Sequence, residues 1–321
     1  MTQGNREDAA TLGWLIQCLR HILTGIVSVQ NTLQMSETEY IHAFTKDEED
    51  RLVRQAELLE SHLHKYIDLS GCANLLEIGC GVGAQLRLLF RKYPHLHVTG
   101  VDISESQIRR ARLLLAKELA EGRVGLHISR GDELPFADGS FDAIYICFVL
   151  EHVPDPAAVI REAKRILVDG GLLYCTEVFN DALYVYPPSP AIMQYWRAFN
   201  ECQRKIGGDP NIGIHLGNVM MQAGLEVEWL KDASYMLDQR MTDPKERAAY
   251  FEHWHANFVS AKQRLLSEGV IDSALVSEFE WEFDRLRNAN DSVFLYSNRQ
   301  VCARKSSPEQ SVLQTQPGIT H

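Results

Sequence analysis

The run Asn74-Leu-Leu-Glu-Ile-Gly-Cys-Gly-Val-Gly-Ala84 limits the fold more than any other stretch of the chain. Leu75 to Ile78 reads as a short buried strand. Gly79, Gly81 and Gly83 follow at alternate positions, and Gln85-Leu-Arg-Leu-Leu-Phe90 then takes helical character. Glycine carries no Cβ, so the backbone can adopt positive φ and a ligand can come close. A strand feeding a glycine turn at the head of a helix is the ligand-binding corner of a doubly wound α/β sheet.

Gly79, Gly81 and Ala84 match the dinucleotide pattern G-x-G-x-x-G/A literally. Glu77 argues against a dinucleotide, because a carboxylate beside the loop repels the pyrophosphate that a helix N-terminus would otherwise attract. A cationic ligand that needs close backbone approach suits the loop better. The stretch therefore resembles motif I of the class I S-adenosylmethionine-dependent methyltransferases, with Glu77 as its acidic residue. The resemblance implies S-adenosyl-L-methionine as cofactor.

The next strand, Leu96 to Asp102, ends on an acid 19 residues after Gly83. That is where a carboxylate accepts from ribose hydroxyls. Ile103 and Gln107, at the head of the following helix, are grouped with it as cofactor-binding candidates. A third strand from Val124 leads into Arg130-Gly-Asp-Glu-Leu-Pro-Phe-Ala-Asp-Gly-Ser-Phe-Asp142. This run resembles a segment of the ubiquinone/menaquinone-biosynthesis-type methyltransferases. There, the resemblance implies, the residue matching Asp132 accepts from the adenine amino group, and the Glu133 amide meets a ring nitrogen.

Phe141 to Asp155 resembles motif IV of the same family. It places Cys147 and Phe148 under the sulfonium and His152 at the carboxyl rim of the sheet. His152 is the first candidate for a base and His215 the second; His253, His255 and Glu177 are weaker ones. In such proteins the segment before motif I folds over the cofactor, which makes Tyr40, and less strongly Gln55, candidates at the methionine end.

The expected architecture is a Rossmann-like, seven-stranded, mostly parallel sheet of order 3-2-1-4-5-7-6. N-terminal helices or a lid are assigned to residues 1–66. The cofactor-binding core takes 67–240 and 291–304, a helical cap 241–290, and a disordered tail 305–321. Leu15, Leu19, Ile22, Leu23 and Ile26 repeat at helical spacing, so the first helix is a candidate lid or homodimer interface. Its Arg20-His21 break and acidic leader fit neither a bilayer span nor a signal peptide.

A formal net charge of -11 on 321 residues excludes a broad nucleic-acid footprint, which needs a basic face. Seven cysteines without a C-x-x-C or Cys/His cluster point to reduced thiols in a cytoplasmic protein and to no metal site. Aromatic residues in the cap, with Tyr184 to Pro188 and Tyr195-Trp196, imply a small apolar or aromatic methyl acceptor. The alternatives are a non-catalytic binding protein that keeps the fold and an NAD(P)-dependent oxidoreductase.

Overall fold

Strand β1 (Asn74–Ile78) lies inside the sheet, with every residue after Asn74 buried. It pairs in parallel with β2 (His97–Asp102) on one side and β4 (Phe141–Cys147) on the other. Parallel strands covered on both faces are mostly apolar, and Leu75, Leu76 and Ile78 meet that need, with Glu77 the one charged residue among them. The computed structural model describes residues 41–42 and 46–307. Tyr40, the first helix and most of the expected tail lie outside them.

Beyond β2 lies β3 (Val124–Ile128), and beyond β4 lies β5 (Leu167–Tyr186). The last strand, β8 (Val293–Arg304), runs antiparallel to β5 and to β6 (Glu226–Asp232). The spatial order β3-β2-β1-β4-β5-β8-β6 is the expected one once a short extra strand is set aside. That strand, β7 (Tyr235–Leu237), pairs with the start of β8. Three residues are too few to show a period, so the sequence does not reveal it.

The fifth strand is longer than its apolar run. After an irregularity between Phe179 and Tyr184 it continues alongside β8 as far as Tyr186. This corrects the expected placement of the tyrosines. Tyr184 and Tyr186 alternate with buried Leu183 and Val185 and point outward, 57% and 45% exposed, away from any acceptor pocket.

Helix starts are marked by local chemistry. Ser104 caps α3 (Glu105–Leu114), and Asp155 followed by Pro156 opens α5 (Pro156–Ile166). In sequence, α1 is Lys46–Leu63, α2 is Ala84–Lys92 and α4 is Ala116–Ala120; α6 is Pro190–Lys205 and α7 is Ile212–Gln222. Between β7 and β8 stand α8 (Pro244–Val259), α9 (Lys262–Ser267) and α10 (Ser273–Asn288), the first and last capped by Asp243 and Asp272. Their apolar faces meet α6 in an aromatic core. Trp196 stacks on Phe199 at 5.1 Å, Tyr195 on Phe279 at 4.6 Å, and Trp254 lies 4.5 Å from Tyr296. Tyr195 is thus spent on packing, whereas Trp196 also faces a cavity.

Candidate active site

The three loop glycines differ in what surrounds them. A Cβ at Gly79 would stand 2.3 Å from Val149 Cγ2, and one at Gly83 would stand 2.8 Å from Leu115 Cδ1. Those two let neighbouring chain come close. At Gly81 the nearest atoms, Gln107 Oε1 and Leu52 Cδ1, are 3.8 and 4.0 Å away. Gly81 alone keeps space for a ligand above positive-φ backbone.

Asp102 closes this corner. Its Oδ2 accepts from the Gly81 amide at 2.9 Å and its Oδ1 from the Ser104 amide at 2.8 Å. The two bonds fix the carboxylate where β2 ends and α3 begins. Desolvation nevertheless raises its pKa.

Glu77 is 2% exposed, and its Oε2 has no partner among the described residues. Burial first, and the Asp102 charge second, push its carboxyl well above the usual range. A buried carboxyl oxygen without a partner is costly unless something donates to it. The Gln107 Oε1 beside Gly81 is equally buried and unmatched. Two orphan acceptors and an open glycine fit a ligand that brings donors and positive charge. They do not fit a diphosphate.

At the β3 end Asp132 is held by Arg130, whose Nε donates to Oδ1 at 2.8 Å and whose terminal nitrogen donates to Oδ2 at 2.7 Å. The guanidinium lowers its pKa. Its neighbour Glu133 is exposed. Ile103 is half-buried between Asp102 and Ser104.

A second space opens beside β4. Phe148, with φ of 57°, is the sole non-glycine residue at positive φ among those described. It lines this pocket with Glu151 and His152 from the turn after β4, Arg51 and Gln55 from α1, and Asn180 from β5. Trp196, Phe199, Tyr235, Trp254 and Tyr296 form its aromatic wall, and His42, His253 and Asn257 also face it.

His152 Nε2 lies 3.6 Å from Glu151 Oε1. Glu151 Oε2 in turn accepts from Gln203 Nε2 at 2.8 Å. Burial lowers the His152 pKa, and the Glu151 and Glu48 charges act against that fall. The imidazole is therefore neutral at pH 7. His42, whose ring centre is 5.9 Å away, donates or accepts through Nδ1 with Ser260 Oγ at 2.6 Å.

The remaining histidine candidates separate. His215 stands exposed on α7, inside the helix rather than in a loop before it, and does not line the pocket. His255 pairs with Glu280 across α8 and α10 at 2.7 Å, outside the pocket. His253 does face the cavity, but burial pushes its pKa down to about 3. Glu177 is fully buried, with one oxygen accepting from Val149 and Leu150 amides at 2.9 and 2.7 Å.

Sequence reasoning did not single out Glu151, Gln203 or Arg51. Gln203 carried a readable signal, as a polar residue on the apolar face that α6 makes with Tyr195, Trp196, Phe199 and Cys202. Arg51 is gripped by both oxygens of Glu48, at 2.6 and 2.7 Å, and bonds Gln55 as well.

Residues 76–175 match the methyltransferase domain family. The chain is similar to the 27-O-demethylrifamycin SV methyltransferase of Amycolatopsis mediterranei, 32% identical over 64% of this chain and 73% of that protein. It is also similar to the demethylmenaquinone methyltransferase of Staphylococcus haemolyticus, 26% identical over 67% of this chain and 81% of that one. A Bacillus halodurans structure classed among methyltransferases covers 78% of this chain with all of its own length, at a TM-score of 0.50 and 18% identity, and shows the same fold. On the matched domain and the likeness to the Amycolatopsis enzyme, the chain belongs to the class I S-adenosylmethionine-dependent methyltransferases.

Proposed function

We propose that the protein transfers a methyl group from S-adenosyl-L-methionine to a hydroxyl-bearing, largely apolar small molecule held in the aromatic pocket. The observation that carries the cofactor half is the Glu77 carboxyl, buried and unmatched at Oε2 at the end of the strand that leads into the open backbone of Gly81. In this reading Glu77 takes the ammonium of the cofactor, and Gly81 admits its backbone-hugging chain. Asp102 meets the ribose hydroxyls, and Asp132 with the Glu133 amide meets the adenine. Ile103 and Gln107 complete the adenosyl wall. The bound cofactor supplies an electrophilic methyl group on a sulfonium.

The chain's own residues then have two tasks. Phe148 and the aromatic wall hold the acceptor in line, and such positioning can supply up to about 7–11 kcal/mol of the acceleration. His152, neutral and backed by Glu151, takes the acceptor's proton at an imidazole nitrogen as the oxygen attacks. A buried neutral histidine with a carboxylate behind it favours an acceptor that must lose a proton, as a hydroxyl does. The relative from Amycolatopsis, named as an O-demethylrifamycin methyltransferase, supports this choice. Buried thiols at Cys80, Cys175, Cys202 and Cys302 support a reducing, cytoplasmic setting.

Calorimetry with S-adenosylhomocysteine tests the cofactor half. Micromolar binding that disappears in Asp102→Ala is the expected result. No binding at millimolar concentration, or equal binding to NADH, overturns it.

A further inference from the structure

Glu177 is not in the acceptor pocket, yet it is among the most completely buried acids of the described residues. Its Oε1 accepts two successive backbone amides, Val149 at 2.9 Å and Leu150 at 2.7 Å. Those amides immediately follow Phe148, whose φ of 57° is a left-handed conformation. For a bulky residue this conformation is strained and persists only where the surroundings impose it.

The same turn is gripped at three further points. The Phe148 amide donates to Thr176 O at 3.0 Å, one residue before Glu177 on β5. Val149 fills the space that a Cβ on Gly79 would occupy. The Glu151 carbonyl accepts from the Asp209 amide at 2.9 Å and from Gln203 Nε2 at 3.2 Å. Phe148 stands at one end of the turn and Glu151 with His152 at the other, and all three face the acceptor pocket.

We propose that Glu177 is a positioning residue: its Oε1 holds the 148–150 turn in its left-handed shape, and so locks the glycine loop and the acceptor pocket to one geometry. This rests on the cofactor reading above. Its chemistry is that of a neutral acceptor. Burial, with the nearby Glu151 charge adding to it, pushes the Glu177 carboxyl up to about 8, so at neutral pH its Oε1 acts as a carbonyl oxygen. A glutamine carries the same oxygen at the same place. The assignment therefore separates Glu177 from a proton-transfer role, in which glutamine would fail.

The test uses the full-length chain, S-adenosylhomocysteine titration and hydrogen exchange at the 149 and 150 amides. Wild type and Glu177→Gln should bind within about threefold of each other and protect both amides equally. Glu177→Leu should free both amides and weaken binding on the order of tenfold or more, because the turn packs on Gly79. Adding Phe148→Gly, which makes positive φ easy, should recover part of the affinity lost in Glu177→Leu. If Glu177→Leu does not fold, Glu177→Asp, one methylene shorter, should show the same two losses.

The proposal falls if Glu177→Gln loses affinity or protection, or if the folded Leu or Asp variant keeps both. It also falls if the Phe148→Gly loss simply adds to that of Glu177→Leu. If the wild-type chain itself does not bind S-adenosylhomocysteine, the cofactor reading fails first, and the two failures are told apart.

Discussion

The Asp102 carboxylate accepts the Gly81 amide at 2.9 Å, tying the end of β2 to the one loop glycine that keeps open space above it. The other two glycines serve packing. Gly79→Ala should lower stability by about 1–3 kcal/mol through the clash with Val149, and by about 1–2 kcal/mol more through its positive φ. Gly81→Ala meets no atom closer than 3.8 Å, so it should cost about 1–2 kcal/mol of backbone strain only. Its main effect should be on S-adenosylhomocysteine, whose binding weakens by roughly tenfold or more, about 1.4 kcal/mol. Thermal melts and calorimetry on both variants separate the two roles. Equal melting temperatures and equal affinities for the two would contradict the assignment.

Glu77 makes ligand binding depend on protons. Burial raises its pKa well above the carboxylate norm, so the free protein holds a proton there over a range of pH where a free glutamate would not. A ligand ammonium favours the ionised form, so binding should release a proton. Affinity for S-adenosylhomocysteine should then rise with pH until Glu77 is ionised in the free protein, and level off beyond. Titrations in buffers of different ionisation enthalpy measure the released proton. Glu77→Gln should bind more weakly and without this release; a variant that still expels the proton would show that another group is the source.

Glu177 gives a stability signature of the same kind. Its folded pKa, about 8, lies above the ordinary 4.5 of a free glutamate. The sign follows directly. The contribution is complete below pH 4.5 and is lost as pH climbs through 8, because the buried carboxyl must then ionise or stay protonated against solvent. Wild type should therefore lose stability relative to Glu177→Gln between about pH 5 and pH 8.5. Urea midpoints of the two proteins across that range give the difference, and parallel curves would refute it.

His152 and Glu151 are coupled within one turn of chain. The Glu151 charge raises the His152 pKa against the fall imposed by burial. Removing that charge in Glu151→Gln should lower the pKa further. In a rate–pH profile with any methylated hydroxyl substrate, the acid limb of the wild type should lie below pH 6.5, and in Glu151→Gln it should shift to lower pH. His152→Ala should abolish that limb and slow turnover by about 10²–10⁴-fold. A limb unchanged in both variants would remove His152 from proton transfer.

Much of this was legible in the order of residues. β1, its glycine turn and the acid ending β2 are local features, and parallel strands buried on both faces announce themselves as apolar runs. Asp155-Pro156 and Asp243-Pro244 mark helix starts because capping and proline chemistry act within a few residues. The expectation of a cationic ligand rested on Glu77 alone, and the proposed cofactor keeps it. Tyr40, by contrast, lies outside the described residues, so its expected place at the methionine end stays with the sequence reading.

Other assignments waited on tertiary structure because they depend on partners far along the chain. Which loop glycine keeps open space is decided by Val149 and Leu115, remote from the loop. His253 and His255, two positions apart, look alike in sequence; packing of α8 turns His253 to the pocket and leaves His255 to Glu280. Gln203 reaches Glu151 across 52 positions, and Glu177 reaches Val149 across 28. Local residue order determines a strand, a turn or a cap through contacts a few residues apart, whereas burial and the pairing of distant polar groups exist only once the chain has closed on itself.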